Sequence, residues 1–191
     1  MFLVAGLGNP GSEYDDTPHN IGFAVVNELA NRAGQQLKRG PVAECASAKL
    51  TPKFDAVAIR PLSYMNLSGR PVAASLRWFD LTPANLIVVC DDVNLPFGKI
   101  RIRLKGGAGG QKGLVSIIQT LGTEEFCRIR LGVGGGYPGA DVGSHVLRKL
   151  RKSELETFRE MAKTACDALE LWFKDGPEAA MNRYNTSDSE L

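Results

Sequence analysis

The sequence has 191 residues, of which 43% are hydrophobic and 23% charged, and its formal net charge at pH 7 is +2. This length fits one domain with a substantial buried core, and the composition excludes intrinsic disorder of the whole chain. A membrane protein is excluded too, because no apolar run approaches the ~18–20 residues of a span. A net charge so close to neutral does not by itself indicate a nucleic-acid partner.

The cysteines and histidines are too few and too scattered for a metal site. The only histidines are His19 and His145, so the sequence has too few candidate ligands for a Cys/His zinc site. Scattered thiols are typical of a reducing compartment, and the N-terminus enters a strand pattern without a basic leader. We therefore expect a cytoplasmic protein without a metal. No C-x-x-C pair occurs among the four cysteines, Cys45, Cys90, Cys127 and Cys166.

Strand and helix patterns alternate along the chain. Strand patterns fall at 2–8, 42–50, 54–60, 86–91, 99–105 and 127–133. Helix patterns fall at 17–33, 67–80, 113–122, 153–174 and 177–184, with Thr17 capping the first and Ser153 and Glu156 forming a capping box. This order predicts a single-domain α/β sandwich of three layers, with a twisted, mostly parallel central sheet and helices on both faces. We expect the domain to span 1–184 and 185–191 to form a mobile tail.

Residues 6–11 match the G-x-G-x-x-G pattern of dinucleotide-binding loops. In those loops a helix opens inside the motif and points its N-terminus at the pyrophosphate. Here the helix pattern starts only at Thr17, and the window for the expected acidic residue, 31–36, belongs to the helix and its exit. The case for an NAD- or FAD-dependent enzyme therefore rests on this short pattern alone.

A basic strand pattern leads into a glycine-rich loop at 106–110. Its four cations could guard an exposed edge strand against aggregation or contact phosphates, and Arg128 and Arg130 on a neighbouring strand pattern would widen the positive field. The glycines either serve only the conformation of the loop or present backbone N–H groups to an anion at a helix start. The cations that share one face of the strand are Lys99, Arg101, Arg103 and Lys105.

His19 is the candidate base. The positive end of a helix favours a neutral imidazole, and histidine is well matched to proton transfer near neutral pH. Asp91 closes a buried strand and could fix the tautomer, with Asp92 as the competing candidate. Because no G-x-S-x-G elbow and no Cys-His neighbour occurs, a hydrolysis would use an activated water, with Asn9 and Asn66 placing the carbonyl.

Several motifs together resemble the bacterial peptidyl-tRNA hydrolase family over residues 2–184. The resemblance implies a monomeric α/β hydrolase that cleaves the ester between a nascent peptide and the 3′ ribose of tRNA, without metal or cofactor. The motifs are Gly6 to Gly11 with Tyr14, Thr17 and His19 to Phe23; Pro61 with Tyr64 to Gly69; Asp91-Asp92 with Leu95-Pro96 and Gly98; Gly109-Gly110 and Gly113-Leu114; Phe126, Arg128 to Arg130 and Gly132 to Gly134; and Asn182-Arg183.

The resemblance also implies roles for individual residues. His19 would be the general base and Asp91 would hold its basic form, while Asn9 would distinguish a blocked from a free amino group. The pocket for the tRNA acceptor end and the peptide backbone would be lined by Tyr14, Tyr64 and Asn66, with Gly109 and Gly110 in the adjoining loop. Arg103 and Arg130 fall where the family clamps a tRNA phosphate.

The chain departs from the family pattern at four positions. Pro18 replaces an arginine, Asn94 an aspartate, and Gln111-Lys112 a His-Asn pair. Lys112 supplies a donor and a charge where the family has an amide near the scissile end, but it has no acceptor. This substitution keeps open a non-catalytic RNA-binding relative, like the splicing branch of the fold, whereas retention of His19, Asp91, Asn9 and Asn66 favours the enzyme.

Overall fold

A seven-stranded sheet forms the centre of the computed structural model, which describes residues 1–135, 139 and 141–185. The strands follow the spatial order β2-β3-β4-β1-β5-β7-β6. Their bounds are β1 Phe2–Gly6, β2 Lys38–Arg39, β3 Cys45–Lys49, β4 Ala56–Pro61, β5 Leu86–Asp92, β6 Ile100–Arg103 and β7 Cys127–Gly132.

The four central strands are parallel, and the strands at both edges are antiparallel. β4, β1, β5 and β7 run in one direction, whereas β3 and β6 pair with them in the opposite direction and β2 extends β3. All seven residues of β5 are buried, as expected of a strand covered on both faces. The predicted α/β sandwich is thus confirmed, with a sheet that is parallel at its centre and mixed as a whole.

Helices cover both faces of the sheet. In the described part of the chain, α1 and α5 pack on one face and α2 and α3 on the other. The helices are α1 Ile21–Arg32, α2 Gly69–Trp78, α3 Lys112–Leu121, α4 Val142–Leu147, α5 Lys152–Asp175 and α6 Pro177–Tyr184. None of the helices described here is long and apolar enough to cross a membrane.

Two glycines bring the start of α1 close to the ends of β1 and β5. A Cβ on Gly22 would overlap the backbone nitrogen of Leu7 and the carbonyl oxygen of Val89, and a Cβ on Gly6 would overlap the carbonyl of Gly22. Gly6 therefore allows α1 to pack closely on the sheet. The 3-10 turn Pro18–Asn20, which precedes α1, consequently lies beside the end of β5.

Several element boundaries differ from the sequence-based expectation. His19 lies in the 3-10 turn rather than in the first turn of α1, and Thr17 donates its hydroxyl to the Tyr14 carbonyl instead of capping a helix. The prediction of a capping box at Ser153 is wrong. Helix α5 begins one residue earlier than expected, at Lys152, and the Glu154 side chain accepts the Arg151 N–H at 2.8 Å. The short elements β2 and α4 were not predicted.

Asn185 closes the outer edge of β6. Its side-chain Oδ1 accepts the Ile102 N–H at 2.6 Å, and its Nδ2 donates to the Ile102 carbonyl at 3.0 Å. One amide therefore satisfies both outward backbone groups of Ile102. The remainder of the predicted tail, 186–191, lies outside the described residues.

Candidate active site

A cavity of about 660 Å³ opens at the carboxyl ends of β1 and β5. In open α/β sheets this crevice is the usual place for a ligand. Two of the predicted site residues lie outside its lining: Arg103 is exposed on β6, and Tyr14 packs edge-on against Tyr64 with ring centroids 6.4 Å apart. The predicted residues that line the cavity are Asn9, His19, Tyr64, Asn66, Asp91, Gly109, Gly110, Lys112 and Arg130.

His19 and Asp91 form a buried pair in this cavity. His19 Nδ1 lies 2.8 Å from Asp91 Oδ2, and the two residues are 9% and 2% exposed. A carboxylate only accepts hydrogen bonds, so Nδ1 carries the proton and Nε2 keeps a free lone pair. The pair therefore has the arrangement that a general base needs.

Asp92, the competing partner of His19, points elsewhere. Its Oδ2 forms an ion pair with Arg130 Nε at 2.8 Å, and its Oδ1 accepts the Asn94 N–H at 2.9 Å. Consecutive residues of a strand point to opposite faces. The two carboxylates therefore serve different sides of β5, and only Asp91 contacts the histidine.

Asn9 is held in place by a side chain that sequence analysis missed. Asn20 Oδ1 accepts the Asn9 N–H at 2.8 Å, and Asn20 Nδ2 donates to the Asn9 carbonyl at 3.0 Å. Asn9 Oδ1 in turn accepts the Met65 N–H at 2.8 Å. The side-chain nitrogen is therefore the group that Asn9 can offer to a substrate, and Asn66 follows Met65 on the exposed rim.

Gln111 was noted only as a departure from the family pattern, yet it contacts Asp91. It is 7% exposed, and its Nε2 donates to Asp91 Oδ1 at 3.0 Å. Its Oε1 accepts the Leu114 N–H at 2.9 Å and so caps α3. A polar residue directly before a helix was the available signal, because an N-cap side chain has a defined direction.

Two arginines of β7 hold the glycine-rich loop. Arg128 donates to the carbonyls of Gly106 and Gly107 and, at 2.9 and 3.1 Å, to those of Glu124 and Phe126. It is 1% exposed, and this burial lowers the pKa of its guanidinium. Arg128 therefore supports the loop and does not widen an exposed positive face as predicted.

Arg130 supports the next part of the same loop. Its Nη2 donates to the Ala108 carbonyl at 3.0 Å, and its side chain is 12% exposed at the cavity wall. Gly109 has a φ of +57°, and a Cβ there would meet the Arg130 guanidinium. Glycine at this position thus allows the loop to close over the arginine.

The short helix α4 forms an apolar wall that the sequence did not predict. The Asp141 side chain caps it by accepting the Ser144 N–H at 3.1 Å. At its other end Arg148 makes a two-pronged contact with Glu154, at 2.6 and 2.8 Å, which lowers the pKa of Glu154 to about 2. The residues that face the cavity are Val142, Gly143, Val146 and Leu147.

The second histidine lies outside the cavity lining. His145 Nε2 is 3.0 Å from the Val133 carbonyl and its ring lies against Gly135, which indicates a packing role. Within residues 1–135, 139 and 141–185, no three Asp, Glu, His or Cys side chains converge as a metal site would need.

Comparison with known proteins identifies the family of this chain. The peptidyl-tRNA hydrolase family model matches residues 3–190. Peptidyl-tRNA hydrolase of Desulforamulus reducens is 42% identical over 97% of this chain and 89% of its own length. That of Rhodopirellula baltica is 41% identical over 98% of both chains.

Solved structures give the same result. The crystal structure of peptidyl-tRNA hydrolase from Acinetobacter baumannii matches with a TM-score of 0.89 and 33% sequence identity, over 97% of this chain and 95% of that chain. Sequence and fold thus agree over nearly the full length, and the chain belongs to the peptidyl-tRNA hydrolase family.

Proposed function

We propose that this chain is a peptidyl-tRNA hydrolase, which cleaves the ester between an N-blocked peptide and the 3′ ribose of tRNA. The observation that carries the proposal is the buried His19–Asp91 pair, with Nδ1 and Oδ2 2.8 Å apart, in the cavity of a family member. The reaction releases a free tRNA and a peptide acid, so the enzyme recycles tRNA during translation.

The proposed chemistry uses an activated water. His19 Nε2 takes a proton from the water as its oxygen attacks the ester carbonyl, while Asp91 stabilises the imidazolium through Nδ1–H. Asn9 Nδ2 and the Asn66 amide donate hydrogen bonds to the substrate carbonyls. The carbon–oxygen bond to the ribose then breaks, and the imidazolium returns its proton to the 3′ oxygen.

The proposed substrate contacts follow from the charges in the cavity lining, Lys112 and Arg130, and on the neighbouring strand β6, which carries Arg103. Arg103 and Arg130 would hold a phosphate of the acceptor stem, and Lys112 another group near the 3′ end. Gly109 and Gly110 would offer backbone N–H groups, and Tyr64, against Tyr14, would cover the terminal adenosine and the peptide backbone. Asn9 would test for a blocked amino group.

The chain is proposed to act as a cytoplasmic monomer with one catalytic domain, 1–184, and without a cofactor. The alternative of a non-catalytic RNA-binding relative gains no support from the family match or from the relatives named above. The Lys112 substitution that motivated it leaves His19, Asp91 and Asn9 in place around the cavity.

The test is release of N-acetyl-amino acid from N-acetyl-aminoacyl-tRNA without added metal. Wild type and His145→Ala should release it at similar rates, because His145 lies outside the cavity lining, whereas His19→Ala should be slower by about 10²–10⁴-fold. If wild type releases no N-acetyl-amino acid but still binds the tRNA in a gel-shift assay, the result would favour the RNA-binding relative. Equal activity of His19→Ala and wild type would reject His19 as the base.

A further inference from the structure

Gln111 lies between the catalytic carboxylate and the start of α3. Its Nε2 is 3.0 Å from Asp91 Oδ1, and its Oε1 is 2.9 Å from the Leu114 nitrogen. The same Nε2 is 3.2 Å from the Met65 sulfur. The amide is therefore surrounded on all its polar sides, and the residue is 7% exposed.

The orientation of this amide is fixed by its neighbours. The Leu114 N–H can only donate, so the oxygen of the amide must face it. The NH2 group must then face Asp91, whose carboxylate can only accept. The opposite orientation would place two donors together on one side and two acceptors together on the other, both at a cost.

Asp91 consequently has both oxygens engaged. Oδ2 faces His19 Nδ1 at 2.8 Å and Oδ1 faces Gln111 Nε2. The residue is only 2% exposed, and a buried carboxylate needs partners for both oxygens to offset its lost hydration. Without a donor at Oδ1, the carboxylate would be free to rotate about its own bond and would lose its alignment with the imidazole.

We propose that Gln111 is a positioning residue for the base: it locks the carboxylate of Asp91 so that Oδ2 faces Nδ1 of His19. It acts through Asp91 and does not touch the reacting atoms. Because the same amide caps α3, the carboxylate and the glycine-rich loop that precedes the helix are held in one register. Only the expected change in kcat rests on the proposed hydrolase function, because the effect on His19 can be measured without substrate.

The substitution that separates the two bonds of Gln111 is Gln111→Ser. Serine is a good helix cap and keeps the bond to Leu114, but its short side chain cannot reach Asp91. Gln111→His is the conservative counterpart, because a neutral imidazole also carries one donor and one acceptor nitrogen. Gln119→Ser makes the same change at an exposed position of α3 and serves as the matched control.

Two measurements are made on these proteins. The first is kcat and KM for N-acetyl-aminoacyl-tRNA. The second is the 15N spectrum of the histidine side chains at about pH 8.5, two units above the ordinary histidine value, which reports the tautomer of His19 without any substrate. Since the chain has only two histidines, His145→Asn assigns the signals.

Gln111→Ser should lower kcat by about ten- to a hundredfold, the usual effect of losing a hydrogen bond to a charged group, with KM within threefold of wild type. Its His19 signals should show the Nε2–H tautomer, which wild type lacks. Gln111→His should restore kcat to within threefold and restore the Nδ1–H tautomer, and Gln119→Ser should match wild type. If Gln111→Ser does not fold, Gln111→Asn, another capping residue with a shorter reach, takes its place.

An unchanged His19 tautomer in Gln111→Ser would overturn the proposal, whatever happens to kcat, and would leave Gln111 as a helix cap. A rise in KM with the tautomer and kcat unchanged would also overturn it, since the residue would then act on the substrate. If wild type proved inactive, the hydrolase assignment would fail, while the tautomer would still decide the role of Gln111.

Discussion

Two regions of the molecule are built in different ways: one wall of the cavity, and a face of β6 and β7 that meets the cavity at Arg130. The proton-transfer wall consists of Asn9, His19, Asn20, Asp91 and Gln111, which are all buried and linked by hydrogen bonds that fix each side chain. The arginine wall lies across β6 and β7 and consists of Arg101, Arg103, Arg128 and Arg130. There the register places Arg101 opposite Arg130 and Arg103 opposite Arg128, so all four share one face.

The difference follows from what each wall has to do. Proton transfer fails when a donor and an acceptor move by an ångström, so the first wall engages both oxygens of Asp91 and both polar groups of Gln111. Electrostatic attraction of a phosphate acts over several ångströms, so the arginines of the second wall need not be held so rigidly. Arg128 can therefore support a loop while Arg103 stays exposed. Orientation is thus fixed in one wall, and charge is supplied by the other.

The sharpest way to break this comparison is to substitute the adjacent carboxylates one at a time. Asp91→Asn would offer its NH2 to His19 and favour the wrong tautomer, so kcat should fall by about 10²–10⁴ with little change in KM. Asp92→Asn removes the charge that pairs with Arg130 but keeps an oxygen for the Asn94 N–H, so it should change KM for tRNA more than kcat. Equal losses of kcat in both variants would mean that the two walls are not separate.

Arg128 tests whether the arginine wall is a support as well as a source of charge. Arg128→Ala removes a donor from four backbone carbonyls and opens a cavity, so the free energy of unfolding should fall by about 2–4 kcal/mol. Chemical denaturation measures this, with exposed Arg39→Ala on β2 as the control. A loss below ~0.5 kcal/mol would show that the loop does not depend on Arg128.

Arg103 tests the opposite end of the same wall. Arg103→Ala should weaken tRNA binding and lower the slope of log K against log salt by about one, the share of a single phosphate contact. Arg39→Ala removes the same charge from the opposite edge of the sheet and should leave the slope unchanged. If Arg103→Ala slowed a small ester without tRNA equally, its phosphate role would be wrong.

The smallest effect concerns α4 and depends on pH. Arg148 lowers the pKa of Glu154 from 4.5 to about 2, so the pair stabilises the fold above pH 4.5 and loses this contribution as the pH falls towards 2. Glu154→Gln should be less stable than wild type by up to about 1 kcal/mol at pH 7, and the difference should shrink at pH 3. The exposed Glu160→Gln is the control, and a difference independent of pH would contradict the assignment.

The pairing of His19 with Asp91 was accessible from sequence because both lie at the ends of regular elements. Asp91 lies at the carboxyl end of an apolar strand and His19 lies just before a helix, and such ends meet at the carboxyl edge of a parallel sheet. The choice between Asp91 and Asp92 needed the register of β5, since neighbouring residues point in opposite directions. The strand pattern alone therefore narrowed the partner to two residues, and the resemblance to the family pointed to Asp91, which the structure places against His19.

The remaining site residues depend on loop geometry that local patterns do not encode. Whether Gln111 reaches Asp91 depends on how the glycine-rich loop returns α3 to the sheet. The alternation of β7 places Arg128 and Arg130 on one face, but only the path of that loop decides which becomes buried. Helix α4 has six residues, too few for a periodicity to stand out.

The amide of Asn185 has a consequence for the behaviour of the protein in a crowded solution. An open sheet edge is a template on which a strand from another molecule can add, and this is a common start of aggregation. At β6 the outward N–H and C=O of Ile102 are already paired with one side chain, so an incoming strand would have to displace it first. At the opposite edge, Lys38 and Arg39 of β2 would repel a second copy of themselves. The two edges of the sheet are therefore protected by different means: a hydrogen-bonded side-chain amide at β6 and a pair of positive charges at β2.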